Sequence, residues 1–596
     1  MAMKYDTVEE FRGYTTKPDV TNTDKRFLTD GSFNVLVNDG EKLQGRNGYE
    51  VVGQSSKDRY AIESAFTWKT SSGDEIPLRG TNNSLQFLYD STWTTLVDSL
   101  PTARFGFPES SESGWWDNSE GIDILPFVAK DSNIYSWSGC IAVVSAVTSN
   151  TITIDSHTTW AEARLVGSTG TVIVDGDEYA YTGVSGAQLT GVTPDPSAAG
   201  VGDGDVIFQK ITTNSNKPGS GLTNDIIDII QNQVVVGDNS SREIYFSTNT
   251  DFTDYSTIST PREPGESTIL TLDNTPVAFA VQENTLYVSA GKSDWYEVIF
   301  DLQSISTTFI ENISVKKLKN APLQAAKEKD LVAHIKNSVV FISGEPTLDT
   351  LGRVENINTP QSMPLSDPIK PSFDSYDFTG GDIIYYKNQI FIAVPQESLV
   401  LIYDLNNGWW QPPQKMPIAK FSIVEGKLYG HSKEVQETYE LFKKDVYADA
   451  GNIIDMQAVF AYRNFGDRHQ KKQFDEYMIE GYISPQTNLT LTLEYEYEGS
   501  QGEKEFTITG NDEAILFGKG AEGGLGSLPL GSATLGSSKE TPSDLKKFRQ
   551  VNGTRPLDFF EMRAIFSTSS DDAQFEIISH GPQVSYSPIQ NNSITK

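Results

Sequence analysis

Apolar and polar positions along the middle of the chain fall into a unit that repeats. Ile226-Ile227-Asp228-Ile229-Ile230 is a run suited to burial, Gln231-Asn232-Gln233 reads as a turn, and Val234-Val235-Val236-Gly237 as a second strand. After a polar break, Glu243-Ile244-Tyr245-Phe246-Ser247 supplies a third run rich in β-branched and aromatic residues. The order returns in Val277-Ala278-Phe279-Ala280-Val281, the turn Gln282-Glu283-Asn284, Leu286-Tyr287-Val288-Ser289 and Trp295-Tyr296-Glu297-Val298-Ile299-Phe300. Strand, tight turn, strand, looser turn and aromatic strand make one antiparallel sheet. Its return after roughly 40–50 residues is the signature of propeller blades.

The same pattern extends both ways. Ala61 to Trp68, Pro77 to Gly80, Ser84 to Tyr89 and Trp93 predict a first blade, and Ile122 to Val128 with Ile134 to Trp137 the start of a second. Downstream, Leu323 to Val332 with Ser338 to Ser343 gives one more, as does Asp382 to Tyr386 with Gln389 to Val394 and Leu399 to Trp410. Ile418 to Val424, Lys427 to His431 and Thr438 to Phe442 give the last. The predicted fold is therefore mostly β, a β-propeller of about seven blades. The uneven spacing leaves six or eight blades, or two stacked sheets, as alternatives.

Other textures interrupt and flank the repeat. The propeller would occupy residues 59–137 and 208–450. Between them, residues 138–207 lose aromatic content and gain small residues around short strands, with Asp175-Gly176-Asp177 as a hairpin turn. This predicts a small β domain inserted at an exposed blade connection, where loop length costs little. Residues 1–58 read as an N-terminal arm and a leading hairpin, Phe33 to Tyr49, turning at Asp39-Gly40. Residues 451–596 carry longer alternating strands at Met456 to Tyr462, Phe474 to Gly481, Leu489 to Tyr497, Glu505 to Ile508, Phe559 to Phe566 and Ala573 to Ile578. They predict a β-sandwich. Within it, the Gly/Ser/Leu run 518–537 is unsuited to a regular strand and predicts a flap that orders on a partner.

Composition narrows the function. The chain of 596 residues has 47 Lys and Arg against 80 Asp and Glu, a formal charge of −33. That sign argues against general affinity for nucleic acid or anionic membrane, while leaving room for a duplex that slides past without adhering. Acidic chains are also simply soluble, which is the plainer reading of the charge. The single Cys140 permits no intrachain disulfide. With no run of about 18 apolar residues and no apolar stretch behind Met1-Ala2-Met3-Lys4, the sequence predicts a soluble chain made in a cytoplasm, without membrane insertion.

The five histidines, His157, His334, His431, His469 and His580, lack metal-ligand spacing, and the chain has no HExxH, CxxC, Walker loop or GxSxG. No catalytic, metal or cofactor-binding residue is singled out, no cofactor is expected, and the chain does not read as an enzyme. The rival is a glycan-binding or glycan-cleaving propeller, since two carboxylates in range are expected by chance among 80 acidic residues. Tyr89-Asp90-Ser91-Thr92-Trp93 is a fragment of the sialidase Asp-box that lacks its glycine. The pairs Trp115-Trp116 and Trp409-Trp410 are candidate sugar platforms, although a Trp that ends a blade strand is more often core.

Several stretches resemble tail proteins of tailed bacteriophages, in particular the β-propeller nozzle that closes the distal end of short-tailed virions and is also described as a packaged-DNA stabilisation protein. They are Val234 to Tyr255 with its Asp-Phe-x-Asp-Tyr turn, Leu286 to Val298, Leu399 to Trp410 ending in Trp, and the hairpin Phe33 to Tyr49 with Arg46-x-Gly48-Tyr49. Val174 to Val184 with Leu189 to Val192 is similar to a small β module inserted in many phage tail and fibre proteins. The Arg-Gly and His that usually follow give way here to Thr193-Pro194-Asp195-Pro196, so that likeness concerns a fold and no ligand.

The resemblance implies a structural virion protein of the tail, forming a homo-hexameric ring around the DNA ejection channel. It further implies contacts to an adaptor ring above and tail fibres at the side, with DNA passing through without specific binding. A three-fold baseplate or tail-tip hub of a long-tailed phage is the alternative on the same architecture.

Overall fold

The computed structural model describes residues 4–17, 24–54, 58–109, 114–131, 133–214, 225–237, 240–256, 262–282, 285–305, 308–318, 324–335, 338–351, 364–465, 471–497, 500–510, 516–517, 546–570 and 573–586. The flap expected over 518–537 and His469 lie outside them.

Two-residue turns set the hairpins. Asn82-Asn83, Asp90-Ser91, Gln231-Asn232 and Lys387-Asn388 all hold φ between 43 and 62°, the paired left-handed residues whose twist matches that of the strands they join. Blade 1 runs Ile62–Lys69, Glu75–Thr81, Ser84–Tyr89, Thr92–Val97; blade 3 runs Ile226–Ile230, Gln233–Gly237, Glu243–Phe246, Thr268–Thr271. Blade 4 comprises Pro276–Gln282, Thr285–Ala290, Asp294–Ile305 and Thr308–Lys317, and blade 5 Val332–Ile335, Ser338–Ile342 and Leu348–Leu351. Leu323 to Val332 was expected as a strand. Its described part instead turns through a 3-10 segment, Lys329–Leu331, because the run Lys327-Glu328-Lys329-Asp330 offers no apolar position to bury in a strand.

Blade 2 is Trp115–Asp117, Ile122–Phe127, Ile134–Trp137 and Thr212–Asn214, with Gly106 bridging Val128. The insertion therefore falls between its third and fourth strands. It is a seven-stranded sheet spanning Ile141–Val147 to Val206–Gln209, so Phe208 and Gln209 belong to it and the propeller resumes at Thr212. Asp175-Gly176 is the expected hairpin turn, both residues at positive φ. Arg164 locks the insertion down. Its guanidinium donates to Asp123 Oδ1 at 2.7 Å and to Ser138 O at 2.8 Å, and stacks 5.1 Å from the Trp68 ring of blade 1.

Apolar layers separate successive blades. Phe66, Trp68 and Phe87 meet Phe105, Phe127 and Trp137 between blades 1 and 2, and Trp115 and Val128 meet Ile227 and Val236 between 2 and 3. Val235 and Phe246 meet Phe279 and Val288, Ala280 and Trp295 meet Val339 and Phe341, and Phe391 and Ile402 meet Phe421 and Tyr439. The inner strands of blades 3, 4 and 5, then Asp382–Tyr386 of blade 6, Ile418–Val424 of blade 7 and Ile62–Lys69 of blade 1 touch in that order, and the apolar layers on either side of blade 2 close the ring.

The N-terminal segment completes three sheets rather than forming an arm of its own. Glu50–Val52 pairs with Thr438–Glu440 as the outer strand of blade 7, after Ile418–Val424 and Lys427–Ser432. Here the seam with blade 1 is polar: Arg79 donates to Thr438 Oγ1 at 3.1 Å and lies 4.1 Å over Trp93, whose Nε1 donates to Val52 O at 3.2 Å. Arg12–Tyr14 and Phe27–Leu28 extend blade 6 beyond Asp382–Tyr386, Gln389–Val394, Leu399–Asp404 and Trp409–Trp410.

The leading hairpin, Val35–Val37 with Leu43–Gly45, and Lys4–Tyr5 join the first sheet of the sandwich beside Phe575–Tyr586, Lys472–Ile483, Lys546–Phe559 and Leu516–Phe517. Its turn differs from the expected Asp-Gly form. Glu41 takes the left-handed conformation, and Asn38 Oδ1 accepts from the Gly40 and Lys42 amides at 3.0 Å each. The second sheet is Met456–Val459, Glu561–Thr568, Asn488–Tyr497 and Ser500–Thr509. The sandwich interior, including Phe474, Leu491 and Phe566, is continuous with that of blades 5 and 6.

Candidate functional site

Charged side chains interrupt the apolar runs of the inner strands and meet at one place. Arg104 lies in the segment that leads into blade 2, whereas Glu328, Lys329 and Asp330 precede the inner strand of blade 5. Those blades are three apart around the ring. Contact between them can only cross its centre. Arg104 Nη2 lies 2.7 Å from Glu328 Oε2 and 3.3 Å from Asp330 Oδ2, and Lys329 Nζ donates to Phe105 O at 2.8 Å. Lys329 also pairs with Asp330 Oδ1 at 2.6 Å. From the inner strand of blade 7, Lys420 pairs with Asp330 Oδ2 and donates to Gly381 O at 2.8 Å. Asp382, opening the inner strand of blade 6, accepts from the Phe421 amide at 2.7 Å and the Ile383 amide at 2.9 Å. Four blades thus converge on a bridge across the axis.

The electrostatics sort the acids into two kinds. Burial alone would raise Asp330, but Lys329, Lys420 and Arg104 together hold it well below the usual carboxylate range. Burial pushes Asp382 up to about 8 against the opposing pull of Lys420. Glu109, beside the same cations, is shifted upward in the same direction although its side chain remains exposed. The cluster therefore holds proton-carrying acids beside ammonium and guanidinium groups. Separated carboxyl affinities of this sort serve acid–base chemistry, and they also arise in purely structural ion-pair networks. Three cations held by Glu328, Asp330 and backbone carbonyls fit the structural kind.

The described histidines do not join this cluster. His431 is buried between Ser422 and Thr438, at 2.9 and 3.0 Å, and burial lowers it to about 3. His580 is buried against Phe11, Phe460 and Tyr477 and is likewise lowered to about 3 by burial, then by Arg463 and Lys25. His334 is lowered to about 4 by burial, and His157 contacts Ser156 at the surface of the insertion. Among the described residues no group of three or more His, Cys, Asp and Glu could hold a metal ion. The Asp-box fragment is the blade 1 hairpin turn at Asp90-Ser91.

Of the tryptophan pairs, Trp115 is buried with its Nε1 donating to Asn232 O at 2.7 Å, and Trp116 is exposed. Trp410 is wholly buried, donating to Leu365 O at 2.8 Å, while Trp409 beside it lines a surface cavity at the rim of blade 6. The axial residues escaped the sequence reading. The available signal was Lys420 within Ile418-Ala419-Lys420-Phe421-Ser422-Ile423-Val424, a charge on a strand otherwise suited to full burial.

No family model matches the chain, and no curated protein matches it. Among solved structures it is similar to Saccharomyces cerevisiae Sqt1 at 10% identity, covering 65% of this chain and 99% of that one with a TM-score of 0.31. It is also similar to the PQQ-bound aldose sugar dehydrogenase of Streptomyces coelicolor at 11%, covering 66% and 98% with a TM-score of 0.23. A third is the Penicillium chrysogenum alpha-L-arabinanase complexed with arabinobiose, at 9%, covering 67% and 99% with a TM-score of 0.24. Likenesses this weak carry no functional inference.

Proposed function

We propose that this chain is a structural subunit of a bacteriophage tail, a nozzle-type protein that forms a six-membered ring around the DNA ejection channel and anchors adaptor and fibre proteins. The observation that carries the reading is mechanical. The N-terminal segment is woven into blade 6, blade 7 and the sandwich, so that the two large units share one apolar interior, and ion pairs bridge the propeller's own axis. A stiff block with its axis bridged suits a wall of a larger tube better than a vessel for a small substrate. The resemblance of Val234 to Tyr255, Leu286 to Val298 and Leu399 to Trp410 to nozzle proteins points the same way. At −33 the ring would repel DNA phosphates from its lumen, letting the duplex pass without adhering.

Electron microscopy of the purified chain, with its mass measured by light scattering, tests this reading. Closed six-fold rings with an acidic lumen are expected. Three-fold assemblies would favour a baseplate or tail-tip hub, and a monomer at every concentration, or a basic lumen, would overturn the nozzle assignment. The raised acids at the axis favour one rival, a glycan-cleaving propeller using Asp382 or Glu109 as acid. Release of reducing ends from polysaccharide that is abolished by Glu109→Gln would replace the structural reading with that one.

A further inference from the structure

The cavity at the rim of blade 6 lies far from the axial bridge in the logic of the fold, since it forms where Arg12–Tyr14 and Phe27–Leu28 dock beyond the outer strand. Its volume is about 750 Å3, and its walls include Arg12, Tyr14, Asn406, Asn407, Gly408 and Trp409. That size is within the roughly 300–1,000 Å3 of small-molecule sites. Trp409 is half-buried, with Gly13 packed against its indole so closely that a Cβ there would sit 2.6 Å from Cδ1. The ring is thereby held in a fixed pose instead of being folded into the core like Trp410.

Arg12 Nε and Trp409 Nε1 are buried donors without a protein partner among the described residues, and they lie behind the cavity surface. The polar groups at the surface itself belong to the half-buried Arg12 and the exposed Asn406. Lys17, by contrast, is paired with Asp367 at 2.5 Å, and Asp24 with Arg26 at 2.6 Å, so the charges at this rim are largely cancelled. A fixed aromatic face, planar amides, an arginine and little net charge suit a ligand with an apolar ring face and many hydroxyls. They suit nucleotides less, because the −33 chain disfavours phosphates.

We propose that this rim cavity is a carbohydrate-binding site for a short oligosaccharide, stacking one sugar ring on Trp409 with hydroxyls set against Arg12 and Asn406. It involves no bond cleavage and is independent of the ring assembly. The test is calorimetric and saturation-transfer NMR titration of the full chain with maltotetraose, chitotetraose and sialyllactose, with AMP as the control. Saturable binding of at least one sugar is expected, weakened tenfold or more by Trp409→Ala and by Arg12→Gln. Asn406→Ala, at an exposed position, is expected to weaken it severalfold with melting unchanged. No saturation by any of the three up to about 10 mM, equal binding by all three variants, or tighter binding of AMP would overturn the proposal.

Discussion

Single side chains at the propeller axis act far above their size because they are buried in pairs. Lys420 and Asp330 are 4% and 5% exposed, so removing one leaves the other's charge without its nearest partner. Lys420→Met is expected to cost about 3–5 kcal/mol of unfolding free energy, measured by chemical denaturation, and adding Asp330→Asn is expected to restore part of the loss. Asp382 sets a pH dependence whose sign follows from its raised affinity. The unfolded chain releases this proton near pH 4 and the folded chain near pH 8, so the group's stabilising contribution is complete below pH 4 and is lost as pH rises to about 8. Asp382→Asn has no such proton. Its melting temperature is therefore expected to gain on wild type steadily between pH 4 and 8 and hold that lead above, as differential scanning calorimetry would record.

At the level of strands and turns, close approach decides what fits. A Cβ on Gly13 would fall 2.2 Å from Trp410 O, a backbone atom that cannot step aside. Gly13→Ala is expected to lift the N-terminal strands off blade 6 and admit protease near residue 17 while the blades stay protected, read by limited proteolysis and mass spectrometry. The Arg46-x-Gly48-Tyr49 pattern has a similar basis. Arg46 makes a two-pronged pair with Asp449 at 2.5 and 2.7 Å, a Cβ on Gly48 would lie 2.0 Å from Ala448 O, and Tyr49 packs 4.7 Å from Tyr439.

Much of this was legible in the sequence, because blade strands are short, local and joined by turns whose residues favour left-handed φ. Pairings between distant segments were not. Glu50–Val52 carries no mark that its partner is Thr438–Glu440, and Lys546–Phe559, with its charges, Gly553 and Pro556, reads as a loop until its neighbours Lys472–Ile483 and Leu516–Phe517 supply the ladder. The axial cluster was hidden for the same reason. Arg104, Asp330, Asp382 and Lys420 are scattered along the chain and only ring closure brings them together.

For the whole molecule, the insertion is an appendage with nearby ends. Tyr135 pairs with Thr213 and Ser136 with Thr212, so the strands on either side already lie together without it. Replacing residues 138–211 by a short Gly/Ser linker, with Asp123→Asn to remove the carboxylate that Arg164 holds, is expected to leave a folded propeller and sandwich that melts at a lower temperature, because Phe208 and Ile211 leave the apolar layer between blades 1 and 2. Loss of any assembly in that variant would place the insertion at a subunit contact.

The outer strand of blade 7 has a consequence in time as well as in space. Lys443 and Glu50, which pair at 2.7 Å beside that strand, are 393 residues apart in the chain, and Asn38 meets Glu576 across 538. During translation Glu50–Val52 must wait, unpaired, until Thr438–Glu440 has emerged, and long-range closures of this kind are slow. A nascent chain stalled before Thr438 would carry an open blade edge and a sandwich sheet lacking its later strands. Ribosome-bound intermediates of that length would keep those edges exposed until Thr438–Glu440 and Phe575–Tyr586 arrive as the clasp that ends their exposure.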